Sequence, residues 1–274
     1  MVYTNWTTDM PITTWQQFTR LVRSNQFKLL RRLDSFPNSI LVTGCQRSGT
    51  TMLARIITQS AGMTNYWFGK DDELDAALIL SGYVAHTPQG RYCFQTTYLD
   101  ESYKEYYEHH GPFKIIWLMR NPYSVVTSLM YNWRSSALSG TFSKCGANQL
   151  DGMEKKIYSI GGAKWISRPR QASFLYKAKT LQLLELVDKL GSDRIFVVDY
   201  DDLVLDSDTI LKQIYSFVDL DYDPEYAKQI HRKSISKKSR LSEREKRIIR
   251  DIAEPVYQKA QLLRSARPLI AHHE

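Results

Sequence analysis

Cysteine is scarce in this chain, with Cys45, Cys93 and Cys145 the only three. An odd, widely spaced set builds no disulfide framework and points to a reducing compartment. Long apolar runs are missing as well. No stretch approaches the roughly 18 uncharged apolar residues of a membrane-crossing helix. The first ten residues, MVYTNWTTDM, lack the basic-then-apolar order of a secretory leader. These absences predict a soluble, cytoplasmic protein without stable membrane insertion. Histidine and cysteine show no metal-ligand spacing, so no metal is expected. No aromatic RNA-binding signature, internal repeat or low-complexity tract occurs.

What is present fits a globular chain. Over 274 residues, 43% are hydrophobic and 12% aromatic, enough to bury a substantial core and to exclude disorder. The length suits one large domain. A net charge of +8 favours an anionic ligand. Its only dense basic run lies between His231 and Arg250. We therefore expect a small-molecule partner and no nucleic acid, and the basic C-terminal helix would support a homodimer.

The stretch SILVTGCQRSGTTMLARIITQSA, 39–61, organises the rest. Ile40, Leu41, Val42 and Thr43 form a short apolar run of the buried-strand type. Gly44 and Gly49 bracket a tight turn, and Met52, Leu53, Ile56 and Ile57 recur at helical spacing after Thr50 and Thr51. A strand, a glycine loop and a helix in that order aim backbone N–H groups and a helix dipole at one spot. Arg47, Ser48, Thr50 and Thr51 add a cation and three hydroxyls there. The spacing matches the nucleotide P-loop, G-x-x-x-x-G-K-[ST], but Thr50 stands where the lysine belongs. That lysine serves the β and γ phosphates of a triphosphate, so its loss argues against an ATPase or kinase.

Elsewhere the pattern alternates. Residues 12–34 read as an amphipathic helix ended by Phe36-Pro37-Asn38. Asp71, Asp72, Glu73 and Asp75 decorate a helix start, where acids favour the dipole. Further strands are expected at 91–97, 114–119 and 194–199. Asn121-Pro122 caps a helix reaching about Arg134. Helices follow at about 170–190, 209–218 and 242–263, the last opened by the capping sequence SERE. Residues 135–167, glycine- and serine-rich, read as an irregular lid or acceptor loop. The expected fold is α/β, a P-loop-like three-layer arrangement with a central, mainly parallel sheet flanked by helices. Its division is an N-terminal helix over 1–37, a phosphate-binding core over 38–134, the 135–167 loop, and remaining core with C-terminal helices over 168–274.

Arg120 follows the third strand directly, at the carboxyl edge where open α/β sheets bind ligands. Ser128 lies eight positions on, and shares a helix face with Ser124. An arginine and a hydroxyl so placed suit a second phosphate.

Three patches in order, QRSGTT at 46–51, RNPYSVVTS at 120–128 and DYDDL at 199–203, resemble the PAPS-dependent sulfotransferase family. PAPS is 3′-phosphoadenosine 5′-phosphosulfate. The resemblance implies that Arg47, Ser48, Gly49, Thr50 and Thr51 bind its 5′-phosphosulfate, that Arg120 and Ser128 bind its 3′-phosphate, and that Tyr200 contacts adenine. It also implies that a C-terminal basic segment, here with Lys237, Lys238 and Arg240, assists at the 3′-phosphate. The RSGTT form is similar to tyrosylprotein and many bacterial sulfotransferases, where cytosolic members have lysine and tryptophan in place of Arg47 and Met52. The family's catalytic histidine position is occupied by Thr97, in Gln95-Thr96-Thr97.

Arg47 serves as an electrostatic clamp on the leaving oxygen rather than as an acid, since guanidinium keeps its proton. With the histidine absent, carboxylates are the stronger base candidates. Glu73 and Asp72 come first, then His86 and Asp100. An acidic cluster beside Tyr66, Trp67 and Phe68 suits a cationic or amine-bearing small-molecule acceptor. The chain is similar to bacterial natural-product sulfotransferases, including those acting on saxitoxin-type guanidinium alkaloids. The rival readings are a P-loop nucleotide kinase and a non-catalytic polyanion binder.

Overall fold

The structure is a computed structural model, and it describes residues 12–69, 71–230 and 241–265. Its centre is a four-stranded, all-parallel sheet in the order β2-β1-β3-β4, formed by β1 Ser39–Gly44, β2 Cys93–Gln95, β3 Phe113–Met119 and β4 Ile195–Asp199. Both faces of the sheet are covered, which is why its strands read as continuous apolar runs. Alternate residues go to opposite layers. Leu41, Ile115 and Trp117 join one core, and Ile40, Val42, Ile116 and Leu118 join the other.

Eleven helices complete the described chain: α1 Trp15–Asn25, α2 Thr50–Thr58, α3 Asp72–Leu80, α4 Pro122–Tyr131, α5 Ser135–Lys144, α6 Gly152–Gly161, α7 Arg168–Leu190, α8 Tyr200–Leu205, α9 Ser207–Phe217, α10 Glu243–Ile252 and α11 Glu254–Gln261. The buried side chains of α2, α8 and α9 pack on one face of the sheet. Those of α1 and α3, with Leu183 and Leu186 of α7, pack on the other. The three-layer α/β expectation holds.

Several expected boundaries move, each for a local reason. The N-terminal helix is held at its start by a Thr14–Gln17 capping box and stops at Gln26, which is left-handed at φ 49°. Its Trp15 Nε1 donates to the Asp71 carboxylate at 2.8 Å, docking α1 on the start of α3. The expected 242–263 helix opens with the Ser242–Glu245 capping box but divides at Ala253, because Pro255 has no N–H to continue the ladder.

The 135–167 segment is not an irregular loop. It contains α5, α6 and two short 3-10 turns, at Gly146–Gln149 and Ala163–Trp165. Gly140 lies within α5 and the other four glycines stand at helix or turn ends, and Phe142, Leu150 and Ile166 bury themselves against Phe174 of α7. A small satellite core therefore organises it. A 3-10 stretch over Thr97–Glu108, absent from the sequence reading, follows β2 and bends at Asp100.

Among the described residues, no helix is long and apolar enough to cross a membrane.

Candidate active site

Strand register decides which residues meet. Gly44 of β1 pairs with Leu118 of β3, and Met119 of β3 pairs with Asp199 of β4. Val42 of β1 pairs with Gln95 of β2. The segments leaving all four strands thus emerge side by side at the carboxyl edge. The chain runs outward from β1 to β2 and then back across to β3, so this edge holds the switch point at which open α/β sheets bind ligands.

The glycine loop fills that point. Gly44 (φ 146°) lies so close to β3 that a Cβ would fall 2.2 Å from the Leu118 carbonyl oxygen. Gly49 is left-handed at φ 98° and caps α2 without any side chain, leaving the first-turn amides of the helix open to an anion. A Cβ there would meet the edge of the Tyr200 ring at 2.4 Å. One face of that ring carries the Arg120 guanidinium at 4.2 Å from its centroid. Tyr200 is thus a buried plate that supports both loop and arginine.

The cationic and hydroxyl groups converge. Arg47, exposed and left-handed at φ 74°, donates from Nε to Ser128 Oγ at 3.0 Å. Arg120, 6% exposed, reaches the Arg47 carbonyl through Nη1 at 3.5 Å and lies 3.8 Å from Asp201. Ser128 is buried beside it. Ser48 Oγ is fully buried in the loop and has no hydrogen-bond partner. A buried hydroxyl without a partner, an uncapped helix start and two convergent arginines fit a doubly anionic ligand.

On the β2 side of the loop lies a second, closed group of polar residues. Asp71 caps α3 by accepting from the Glu73 and Leu74 amides at 3.1 Å each. Glu73 then points inward. Its Oε1 accepts from the Thr97 hydroxyl, and its Oε2 accepts from Gln95 Nε2 at 3.2 Å. The same Gln95 nitrogen donates to Thr50 Oγ1 of the loop at 3.3 Å. The residue's rim is partly exposed, but its carboxyl lies deep, and burial pushes it up to about 8. That poises it to hold or release a proton near neutrality.

The other base candidates fall away from the loop. Asp72, one residue before Glu73, turns to the far side of α3 and is held by Arg55 at 2.8 and 3.3 Å; consecutive helical residues point about 100° apart. His86 bonds Tyr92 at 3.3 Å, just before β2, which places it at the amino edge of the sheet, opposite the loop. Asp100 is closer, but its carboxylate is taken by Lys179 at 2.9 Å and Lys144 at 3.4 Å. The acidic cluster is likewise dispersed. Asp75 accepts from the Phe68 and Gly69 amides at 2.9 and 2.8 Å, and Asp71 and Asp72 have the partners already given.

Cys45, inside the loop, is a packing residue, since burial pushes its thiol far above a nucleophile's range. Lys237, Lys238 and Arg240 lie outside the described residues. Among the described residues no group of His, Cys, Asp and Glu has the arrangement of a metal site.

Sequence reasoning missed Gln95, Thr97 and Lys179 as parts of this edge. Gln95 and Thr97 registered only as the place where a histidine was lacking. Lys179 left a readable trace, because it shares a helix face with Tyr176 and Leu183, both buried. A lysine on an apolar face calls for a buried partner.

A family model described as "Sulfotransferase domain" matches residues 37–261. No curated protein matches the chain. Similar solved structures include a sulfotransferase from Alicyclobacillus acidocaldarius, at 14% identity and TM-score 0.50, covering 83% of this chain and 95% of that one. Sulfotransferase STF9 from Mycobacterium avium is similar at 11% identity and TM-score 0.50, covering 92% of this chain and 82% of that one. At such identities the likeness is one of fold.

Proposed function

Since the chain belongs to the sulfotransferase family, we propose that it transfers a sulfuryl group from PAPS to a small-molecule hydroxyl, amine or guanidine by in-line displacement. The observation that carries this reading is the meeting of Arg47, Ser128 and Arg120 beside an uncapped helix start and an unpartnered Ser48 hydroxyl.

The donor supplies an activated sulfuryl group whose leaving group is a nucleoside bisphosphate. First-turn amides of α2, with the Ser48, Thr50 and Thr51 hydroxyls, receive its 5′ end. Arg47 offsets the charge that builds on the departing oxygen, and no proton transfer from it is needed. Arg120 and Ser128 bind the 3′-phosphate, the group that distinguishes this donor from ATP. Tyr200, pinned between Gly49 and Arg120, keeps the two anion sites at fixed separation. Adenine contact falls to whatever part of its ring the ligand reaches.

Glu73 takes the acceptor's proton. Burial lifts its carboxyl to about 8, so the ionised form, which grows as pH rises toward that value, is a stronger base than an ordinary carboxylate, and Gln95 ties it to Thr50 of the donor loop. As the acceptor O–H or N–H attacks sulfur, its proton passes to Glu73 while the bond from sulfur to the leaving oxygen breaks. Because the other three acids of the cluster have structural partners, recognition of a cationic acceptor would rest on Glu73 and the aromatic residues Trp67 and Phe68.

A thermal-shift titration with adenosine 3′,5′-bisphosphate, beside 5′-AMP, ADP and ATP, tests the donor site. Stabilisation by the 3′,5′-bisphosphate alone is expected. Equal stabilisation by ATP would return the site to a nucleotide kinase. Strong, salt-dependent binding of heparin without nucleotide preference would return it to a polyanion binder.

A further inference from the structure

The buried pair Asp100–Lys179 has no part in the steps above, yet it touches both halves of the site. Asp100 is 3% exposed and Lys179 also 3%, and their oxygen and nitrogen lie 2.9 Å apart. Isolated charges at that depth are strongly disfavoured, so an ion pair here must be held by further bonds. Those bonds are present, and they lead outward in two directions.

One direction is the phosphate loop. Gln46, the residue before Arg47, donates from Nε2 to Asp100 Oδ1 at 3.1 Å and to the Thr97 carbonyl at 3.1 Å. The other direction is the base. Lys179 Nζ donates to the same Thr97 carbonyl at 3.0 Å, and the Thr97 hydroxyl donates to Glu73. The Asp100 backbone carbonyl is itself fixed by Gln182 at 2.8 Å, and Lys144 approaches its second carboxylate oxygen at 3.4 Å. Thr97 is therefore clamped from below by two donors while it presents its hydroxyl to Glu73.

We propose that Asp100, paired with Lys179 beneath the phosphate loop, is a positioning residue that locks the donor loop and the proton acceptor of sulfuryl transfer into one rigid unit. The inference deepens the reading of Glu73 as the base and rests on it. A buried ion pair between the 97–108 turn and α7 holds a threonine, and the threonine holds a glutamate.

The charges give one readout of the link to Glu73, and bisphosphate affinity gives the second, which a merely structural pair would leave unchanged. Glu73 feels Asp71 from the start of its own helix and Asp100 from the 97–108 turn, both raising its proton affinity. Lys179 from α7 lowers it. Tyr98 also neighbours it but remains neutral, because burial raises its hydroxyl far above the usual range. Removing Asp100's charge should lower the Glu73 titration, and removing Lys179's should raise it.

The experiment uses the full chain labelled with carboxyl-13C glutamate, titrated by NMR. The Glu73 signal is assigned by its loss in Glu73→Gln. The Glu73 midpoint is expected to move down in Asp100→Asn and up in Lys179→Met. In the same samples, Asp100→Asn should weaken adenosine 3′,5′-bisphosphate binding by about tenfold, the scale of one impaired charge-assisted hydrogen bond to the loop. Midpoints that stay fixed or move together, with bisphosphate affinity unchanged, would overturn the proposal.

Should a single variant fail to fold, the double variant Asp100→Asn/Lys179→Met leaves no unpaired buried charge. It should place the Glu73 midpoint between those of the singles and still bind the bisphosphate weakly. Wild-type affinity in that variant overturns the coupling. If wild-type protein binds no bisphosphate, the donor reading fails, and the opposed Glu73 shifts alone then decide whether the positioning network exists.

Discussion

Two regions of the same sheet edge are built on opposite plans. The region between β1, β3 and β4 is open and cationic. Its loop amides have no cap, Ser48 Oγ has no partner, and Arg47 is exposed. The region between β1 and β2 is closed, and most of its polar groups are satisfied by one another. Glu73, Thr97, Gln95, Gln46, Asp100 and Lys179 form one bonded chain. The first region presents unpaired donors, whereas the second ties most of its groups to one another and leaves only the Gln46 and Gln95 side-chain oxygens without a partner. A donor needs a receptive surface, and a base needs a fixed position and a raised proton affinity; in the proposed reaction the two plans would serve those two needs.

The strongest way to break this contrast is Glu73→Gln. We expect turnover with PAPS, read as release of adenosine 3′,5′-bisphosphate in an acceptor screen, to fall by roughly 10²- to 10⁴-fold. Bisphosphate affinity should stay within about twofold, because the substitution lies in the closed region. Next is Arg120→Ala in the open region, with the reverse signature. Bisphosphate affinity should fall roughly a hundredfold, as expected for a buried arginine facing a phosphate, and calorimetry would read it.

The acid limb of the rate profile sharpens the comparison further. A base with its carboxyl lifted to about 8 is protonated below that pH. Activity should therefore rise about tenfold per unit up to that pH and then level off. The same shift has the opposite effect on stability. Folded Glu73 binds its proton up to about 8, but an unfolded glutamate releases it near 4.5. Folded protein thus holds the extra proton between those values, and stability contributed by Glu73 is lost as pH rises through that window. Melting curves of wild type against Glu73→Gln at pH 5 and pH 9 should show the variant gaining relative stability at the higher pH.

Smaller effects come from the supports. Gly49→Ala places a methyl group against the Tyr200 ring from a left-handed backbone, at a cost of roughly 1–3 kcal/mol, visible as a fall in Tm of several degrees. His86→Ala should change turnover by less than about twofold, since the residue lies at the opposite edge of the sheet. A large loss there would undo the assignment of the base to the closed region.

The open region was legible because it is local. A strand, two glycines at fixed spacing and a helix start lie within one short stretch, and the backbone amides of such a turn are aimed by local geometry whatever the tertiary neighbours are. Arg120 announced itself by standing just beyond an apolar strand. The Ser242–Glu245 capping box was equally readable, because all its partners lie within one helical turn. The helical fold of 135–167 was not. Its glycines and serines resemble a loop until Phe142, Leu150 and Ile166 find Phe174 of α7, a contact absent from the segment itself.

Four acids within five residues let the sequence rank Glu73 and Asp72 first but not decide between them. The choice was made by Trp15 and the start of α3 for Asp71, by Arg55 for Asp72, and by the Phe68 and Gly69 amides for Asp75. Only Glu73 was left facing Thr97 and Gln95.

By itself, then, the sequence determined the alternation of strands and helices, the glycine loop and the arginine beside it, since each depends on residues close along the chain. Which carboxylate faces the loop, and what holds it there, was decided only by the folded structure. Asp100 and Lys179 are far apart in sequence, and only their burial together supplies the low-dielectric contact that makes two ordinary charges a fixed pair.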